Sequence, residues 1–232
     1  MYKNSFFKGV KKVEIIVTAD GSHTLFVPGL NEHYHSVHGA VQESRHVFIK
    51  NGLLKTAEKK DEIKILEIGL GTGLNVFLTF LENLKLKKKI SYFAIEPFPL
   101  KCEIIEELNY AESLKTENHS HTFREIHFCE WDEYISVSNN FKFIKFKKKM
   151  KEFEPNAMFD VVYFDAFAPS VQPEMWRKDV FEKLYKWMEI NSILITYCAK
   201  GEVKRTLKSV GFEVETLLGP PGKREMIRAI KK

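Results

Sequence analysis

Residues Ile65–Asn75 read ILEIGLGTGLN. An apolar run (Ile63, Ile65, Leu66, Ile68) ends in three glycines at alternate positions, Gly69, Gly71 and Gly73. A segment of helical composition follows. The pattern predicts a buried parallel strand that turns sharply into a helix. Without side chains in that turn, backbone N–H groups can approach a ligand closely. Glu67 lies inside the strand run, where a carboxylate is costly unless it has a partner. Together these features suit a nucleoside ligand better than a phosphate-rich one. The alternative is a tight strand–helix turn that holds no ligand.

The neighbouring residues narrow the choice. A Walker phosphate loop needs Lys-Ser/Thr after its last glycine, and Leu74-Asn75 stands there. The dinucleotide spacing GxGxxG is absent, because the glycines fall at every second residue. ExGxGxG at a strand end resembles motif I of the S-adenosylmethionine-dependent methyltransferases.

Working outward, the chain divides near residue 55. In 1–54, Val13–Val17 and Thr24–Val27 flank a turn at Ala19-Asp20-Gly21-Ser22 and predict a β-hairpin extension. A His-rich segment and a helix over Val41–Leu54 follow. In 55–232 a βαβ rhythm predicts an α/β domain with a mostly parallel sheet. Strands are expected at Ile63–Ile68, Ile90–Ile95, Thr122–Phe128, Phe159–Phe164 and Ser192–Tyr197. Helices are expected at Leu74–Leu86, Leu100–Leu108, Val180–Met188 and Val203–Val210. Phe212–Leu217 and Met226–Ile230 read as a C-terminal antiparallel hairpin around Gly219-Pro220-Pro221-Gly222. Phe141–Met150 reads as a Lys/Phe-rich insert.

In open α/β sheets ligands bind at the carboxyl ends of the strands. Glu96 ends the second strand, where an acidic residue can take both ribose hydroxyls of an adenosine; helix capping is its alternative. Trp131 and Asp132 follow the expected third strand and can stack on adenine and accept from its amino group, although Trp131 suits a core equally. Asp165 ends the fourth strand in YFDAFAP. There it can orient an amine lone pair and oppose the positive charge that grows on nitrogen during alkylation. A helix N-cap is the alternative. Phe167 and Pro169 would wall that pocket against water.

The strings GLGTGLN, YFDAFAP…QPEMW (Tyr163–Trp176), GPPGKREM (Gly219–Met226) and HYHSVHGAVQESRHVFI (His33–Ile49) together resemble the MnmC-type tRNA methyltransferase domain, in that family's order and over nearly the whole chain. The resemblance implies a Rossmann-like methyltransferase fold with S-adenosylmethionine as cofactor. It implies methyl transfer to the amine of 5-aminomethyl-2-thiouridine at the tRNA wobble position of the anticodon loop. Glu67, Gly69, Gly71, Gly73 and Asn75 match its cofactor loop, and Asp165 the acidic residue facing the amine. Phe167, Pro169 and Trp176 match the loop shaping the base pocket, and Lys223 and Arg224 a basic turn near substrate. His35, Ser36, Gly39 and Glu43 match a segment over the cofactor. Bifunctional members carry a fused oxidase for which 232 residues leave no room, so a separate enzyme is expected to supply the aminomethyl group.

Composition sets the remaining bounds. Hydrophobic content of 44% is ordinary for a globular chain. No run reaches the roughly 18 apolar residues of a membrane helix, and MYKNSFFKGVKK lacks the apolar core of a signal peptide. Three scattered cysteines argue against a disulfide framework and fit a cytoplasmic location. His33, His35, His38 and His46 have no cysteine partner, and methyl transfer needs no metal, so none is expected. The net charge of +5 gathers at 85–89, 142–151 and the C-terminus, which suits a polyanion such as tRNA or a solvated surface. Two other classes remain: a spermidine-synthase-like aminopropyltransferase, and a non-catalytic RNA-binding module on a methyltransferase fold.

Overall fold

The computed structural model describes residues 13–232; the N-terminal segment 1–12, read above for its lack of an apolar core, lies outside them. The apolar run before the glycines forms β4 (Glu62–Ile68) in the middle of an eight-stranded sheet. Parallel neighbours flank it, β5 (Lys89–Ile95) on one side and β8 (Phe159–Phe164) on the other. Both faces of these strands are covered, which explains near-continuous apolar runs rather than alternation. One apolar core takes Ile65, Tyr92 and Tyr163, and the other takes Leu66, Phe93 and Val162.

β9 (Met188–Thr196) runs parallel to β8. β11 (Glu225–Lys231) is inserted antiparallel between β9 and β10 (Phe212–Leu218), so the expected C-terminal hairpin closes that edge. Helices α3 (Leu74–Leu86), α7 (Lys178–Trp187) and α8 (Gly201–Val210) lie where the sequence places them, to within about two residues at each end.

The third parallel strand is not Thr122–Phe128. After the short helices α4 (Cys102–Glu106) and α5 (Tyr110–Ser113), that segment is a helix, α6 (Ser120–Phe128), whose buried Thr122, Phe123 and Ile126 recur at helical spacing. The strand beside β5 is β7 (Phe141–Phe146), the Lys/Phe-rich segment itself, paired from Ile90↔Phe141 to Ile95↔Phe146. β6 (Ile135–Ser138) pairs antiparallel outside it. Lys145 is consequently buried, at 1% exposure, and does not belong to a basic surface.

At the N-terminal end, β1 (Glu14–Val17) and β2 (His23–Val27) form the expected hairpin, and β3 (Glu32–His33) adds a third strand. α1 (Ala40–Ser44), a π-helical stretch (Arg45–Leu53) and α2 (Leu54–Ala57) then follow without a break. This segment packs on the main sheet, with the Phe48 and Tyr163 rings 5.1 Å apart. No helix among the described residues is long and apolar enough to cross a membrane.

Candidate active site

Strand register builds the site. Ile68 pairs with both Ile95 and Phe164, so the three strands end level. The next residues, Gly69, Glu96 and Asp165, therefore emerge in one row. Backbone bonds continue past the strands to hold them: Asp165 N–H to Ile68 O (3.1 Å), Gly69 N–H to Ile95 O (3.0 Å) and Glu96 N–H to Phe146 O (2.9 Å).

The loop after β4 needs its glycines for two reasons. Gly69 has φ +92°, and a Cβ there would lie 2.8 Å from the backbone oxygen of Asp165. Gly73 has φ +71° and would drive a Cβ into the His127 ring. Such conformations cost an L-residue about 1–2 kcal/mol before any clash. Gly71 donates its N–H to Glu96 Oε2 (3.0 Å), and Phe98 N–H donates to Oε1 (2.8 Å). Burial pushes the Glu96 carboxyl up, and those two donors oppose the shift. Glu96 thus joins the second strand end to the glycine loop and keeps lone pairs for a ligand's hydroxyls.

Glu67 is fully buried, and its Oε1 accepts from Asn75 Nδ2 (2.9 Å). The same nitrogen donates to Asp165 Oδ2 (2.8 Å). Burial, with smaller contributions from the Asp165 and Glu96 charges, pushes the Glu67 carboxyl well above its ordinary value, and the Asn75 bond opposes the shift. Asp165 is half-buried, and burial with the nearby Glu43 charge raises it to about 7, against the Asn75 bond and the Lys223 charge.

Asn75 Oδ1, beside the Glu67 carboxyl, is buried and has no hydrogen-bond partner among the described residues. A buried acceptor left in this way calls for a donor. The α-ammonium of an S-adenosylmethionine molecule supplies three, and its ribose hydroxyls suit Glu96. The donor set therefore fits that cofactor.

The His-rich segment folds over this loop. Tyr34 lies against Gly71 and stacks edge-on with Phe167 (5.2 Å). His35 pairs through Nε2 with Thr72 Oγ1 (2.7 Å), and burial lowers its pKa to about 4, so it is neutral. The other histidines go elsewhere: His33 onto the Phe26 ring, His46 to Leu218 O, and His38 against Gly222.

Of the expected substrate residues, Phe167 is half-buried and Pro169 buried. Trp176 is only 6% exposed; its indole N–H donates to Phe167 O (2.7 Å) and braces the loop from beneath. Lys223 pairs with Glu43, while Arg224 is exposed.

The strand that brought Trp131 and Asp132 to the cofactor is a helix, and they lie in the turn after it. The Trp131 ring carries the Lys145 ammonium at 4.6 Å, and Asp132 pairs with Lys148 at 2.9 Å. Their contacts thus run to β7 and its extension rather than to Glu96.

Sequence reading passed over Tyr34, Thr72, His127 and Tyr197. Tyr197 had a usable signal. It stands two residues past Ile195, which pairs with Tyr163, just as Asp165 stands two past Tyr163. Reading the fifth strand end like the others puts it in the same row.

A family model described as S-adenosyl-L-methionine-dependent methyltransferase matches residues 109–232. The bifunctional protein MnmC of tRNA 5-methylaminomethyl-2-thiouridine biosynthesis from Leptospira interrogans is 32% identical over 209 residues, 84% of this chain and 32% of the relative. Its counterpart from Campylobacter hominis is 31% identical over 221 residues, covering 88% and 31%. The chain thus spans about a third of the length of these curated relatives. The crystal structure of MNMC2 from Aquifex aeolicus superposes with a TM-score of 0.82 at 25% identity, over 98% of this chain and 73% of that one. Spermidine synthase from Thermotoga maritima, at TM-score 0.55 and 10% identity over 96% and 70%, shares the fold alone.

Proposed function

The chain belongs to the family of S-adenosyl-L-methionine-dependent methyltransferases, and on that premise we propose that it methylates the primary amine of 5-aminomethyl-2-thiouridine at the tRNA wobble position, giving 5-methylaminomethyl-2-thiouridine. The observation that carries this reading is Asp165, a half-buried carboxylate held by Asn75 beside the glycine loop and poised at about 7. The printed names of the MnmC relatives and the likeness to MNMC2 support it.

Bound S-adenosylmethionine supplies an electrophilic methyl group. Glu67, Asn75 and Glu96 bind and orient. Asp165 accepts an N–H of the amine, turns its lone pair toward the loop, and opposes the positive charge that develops on nitrogen. Its pKa lets it hold the proton the alkylated nitrogen sheds and return it to water near neutral pH. Phe167 and Pro169 shield the reacting groups from solvent. Exposed Arg224 and Lys200 are free to meet RNA phosphates. A separate enzyme makes the aminomethyl group first, and the reaction takes place in the cytoplasm.

The test is nucleoside mass spectrometry. tRNA from a strain lacking the gene should accumulate the unmethylated aminomethyl base, and the purified chain with S-adenosylmethionine should convert it. A chain that binds the cofactor yet leaves that base untouched overturns the reading.

A further inference from the structure

The turn joining β10 to β11 carries Lys223 back over the carboxyl ends of the strands. Its ammonium lies 3.9 Å from the centroid of the Tyr197 ring and 2.5 Å from Glu43 Oε1. Glu43 is only 5% exposed, and its second oxygen accepts the Ser36 N–H at 2.8 Å. The Tyr197 hydroxyl donates to the backbone oxygen of Ala166 (2.9 Å), the residue after Asp165. A primary ammonium thus already sits between an aromatic face and a buried carboxylate, beside the acidic strand end.

We propose that this box is the seat of the substrate's primary ammonium, and that Lys223 is a resident stand-in which the substrate displaces. The inference rests on the amine reading above. Lysine and an aminomethyl group end in the same CH2–NH3+ unit, so a box that fits one fits the other. Emptied, it would leave Glu43 buried without a counter-charge, which is strongly unfavourable. Exchanging one ammonium for another keeps the charge balanced throughout. The Tyr197 face holds a cation and gives nothing comparable to a neutral group, so this is where the amine docks before reaction. The amine then gives one proton to ionised Asp165, which passes it to water, and only the neutral amine turns its lone pair to the methyl group. Lys223 is able to leave: its side chain is 34% exposed and it sits in a turn between β-strands. Once out, its flexible stem reaches toward the polyanion that expelled it.

Ethylammonium chloride probes the seat without RNA. Lys223→Ala should bind it saturably, seen as a rise in Tm, at least tenfold more tightly than the unaltered chain. Glu43→Gln in the same background should abolish the effect, and tetraethylammonium should not reproduce it. A folded Lys223→Ala chain indistinguishable from the unaltered one, or a shift that survives Glu43→Gln, overturns the proposal. Lys223→Ser gives the same reading should the alanine variant not fold. In the unaltered chain, acetic anhydride should label Lys223 several-fold faster with tRNA carrying the aminomethyl base than with tRNA carrying plain 2-thiouridine. Equal labelling by two tRNAs that both bind overturns it as well. Since the ethylammonium arm contains no RNA, its failure leaves the tRNA reading standing. Its success beside an inactive tRNA assay keeps the seat and removes the tRNA.

Discussion

The side-chain amide of Asn75 donates to Asp165 Oδ2 at 2.8 Å, which ties the first turn of α3 to the end of β8. The second hydrogen of the same nitrogen goes to Glu67. With both hydrogens given to carboxyl groups, the amide oxygen is turned to a buried position without a partner among the described residues. One side chain therefore sets the donor pattern of the cofactor loop and the aim of the acidic strand end.

In the role proposed for it, receiving the substrate amine, Asp165 needs its negative charge. Asp165→Ala should lower kcat by at least about 100-fold, the scale of losing one preorganised electrostatic group. Cofactor affinity measured by calorimetry should barely change. In the unaltered chain kcat/KM should rise with pH through about 7, where the carboxyl ionises. Full activity in the alanine variant would exclude this role.

The same carboxyl makes the fold pH-dependent. Its pKa is raised from 3.8 to about 7 by burial and the Glu43 charge. Between those values the folded chain keeps a proton that the unfolded chain has lost, so this group's contribution to stability is complete below pH 4 and lost as pH climbs through 7. Asp165→Asn removes the loss. The variant should be more stable than the unaltered chain at pH 8, by an amount on the order of a few kcal/mol, and the gain should vanish near pH 4. Urea unfolding at the two pH values measures it; equal gains at both would show that the shift is absent.

Asn75→Ala takes the donor from both carboxyl groups. The Asn75 bond lowers the Asp165 pKa, so the acid limb of kcat/KM should move to higher pH. Buried Glu67 Oε1 loses its donor, which costs about 1–3 kcal/mol. An unmoved pH profile with unchanged stability would contradict the bridging role.

Gly69→Ala tests the backbone. At φ +92° with a Cβ 2.8 Å from the Asp165 backbone oxygen, the alanine has to push β4 and β8 apart at their ends. A loss of about 1–3 kcal/mol is expected, with kcat falling because Asp165 moves. Alanine accepted at no cost in Tm or rate would mean that the strand ends are looser than this.

The row of site residues was legible because β4, β5 and β8 are covered on both faces and read as near-continuous apolar runs that stop at Gly69, Glu96 and Asp165. The third strand was not. Phe141–Phe146 interleaves two lysines with apolar residues and looks like a charged surface, and only pairing with β5 shows Lys145 to be interior. Tertiary context overrode composition there, and the error moved Trp131 and Asp132 with it. Contacts of high sequence separation, such as Glu43 with Lys223 and His35 with Thr72, leave no periodic trace along the chain.

Lys145 separates a structural lysine from an RNA-binding one. Its ammonium donates to the His127 backbone oxygen and lies over the Trp131 ring, while the His127 ring pairs with Thr72 O at 3.0 Å beside the glycine loop. Lys145→Met keeps the stem and removes the donor, so the chain should lose about 1–3 kcal/mol and bind the cofactor less tightly as α6 loosens. A buried ammonium holds no phosphate and releases no counterion. The slope of log affinity for tRNA against log salt should therefore stay unchanged in this variant. Arg224→Ala, which removes an exposed cation, should reduce that slope by about 0.7–0.9 and leave stability within about 0.5 kcal/mol. A reduced slope in Lys145→Met, with stability intact, would return this lysine to the RNA-binding surface.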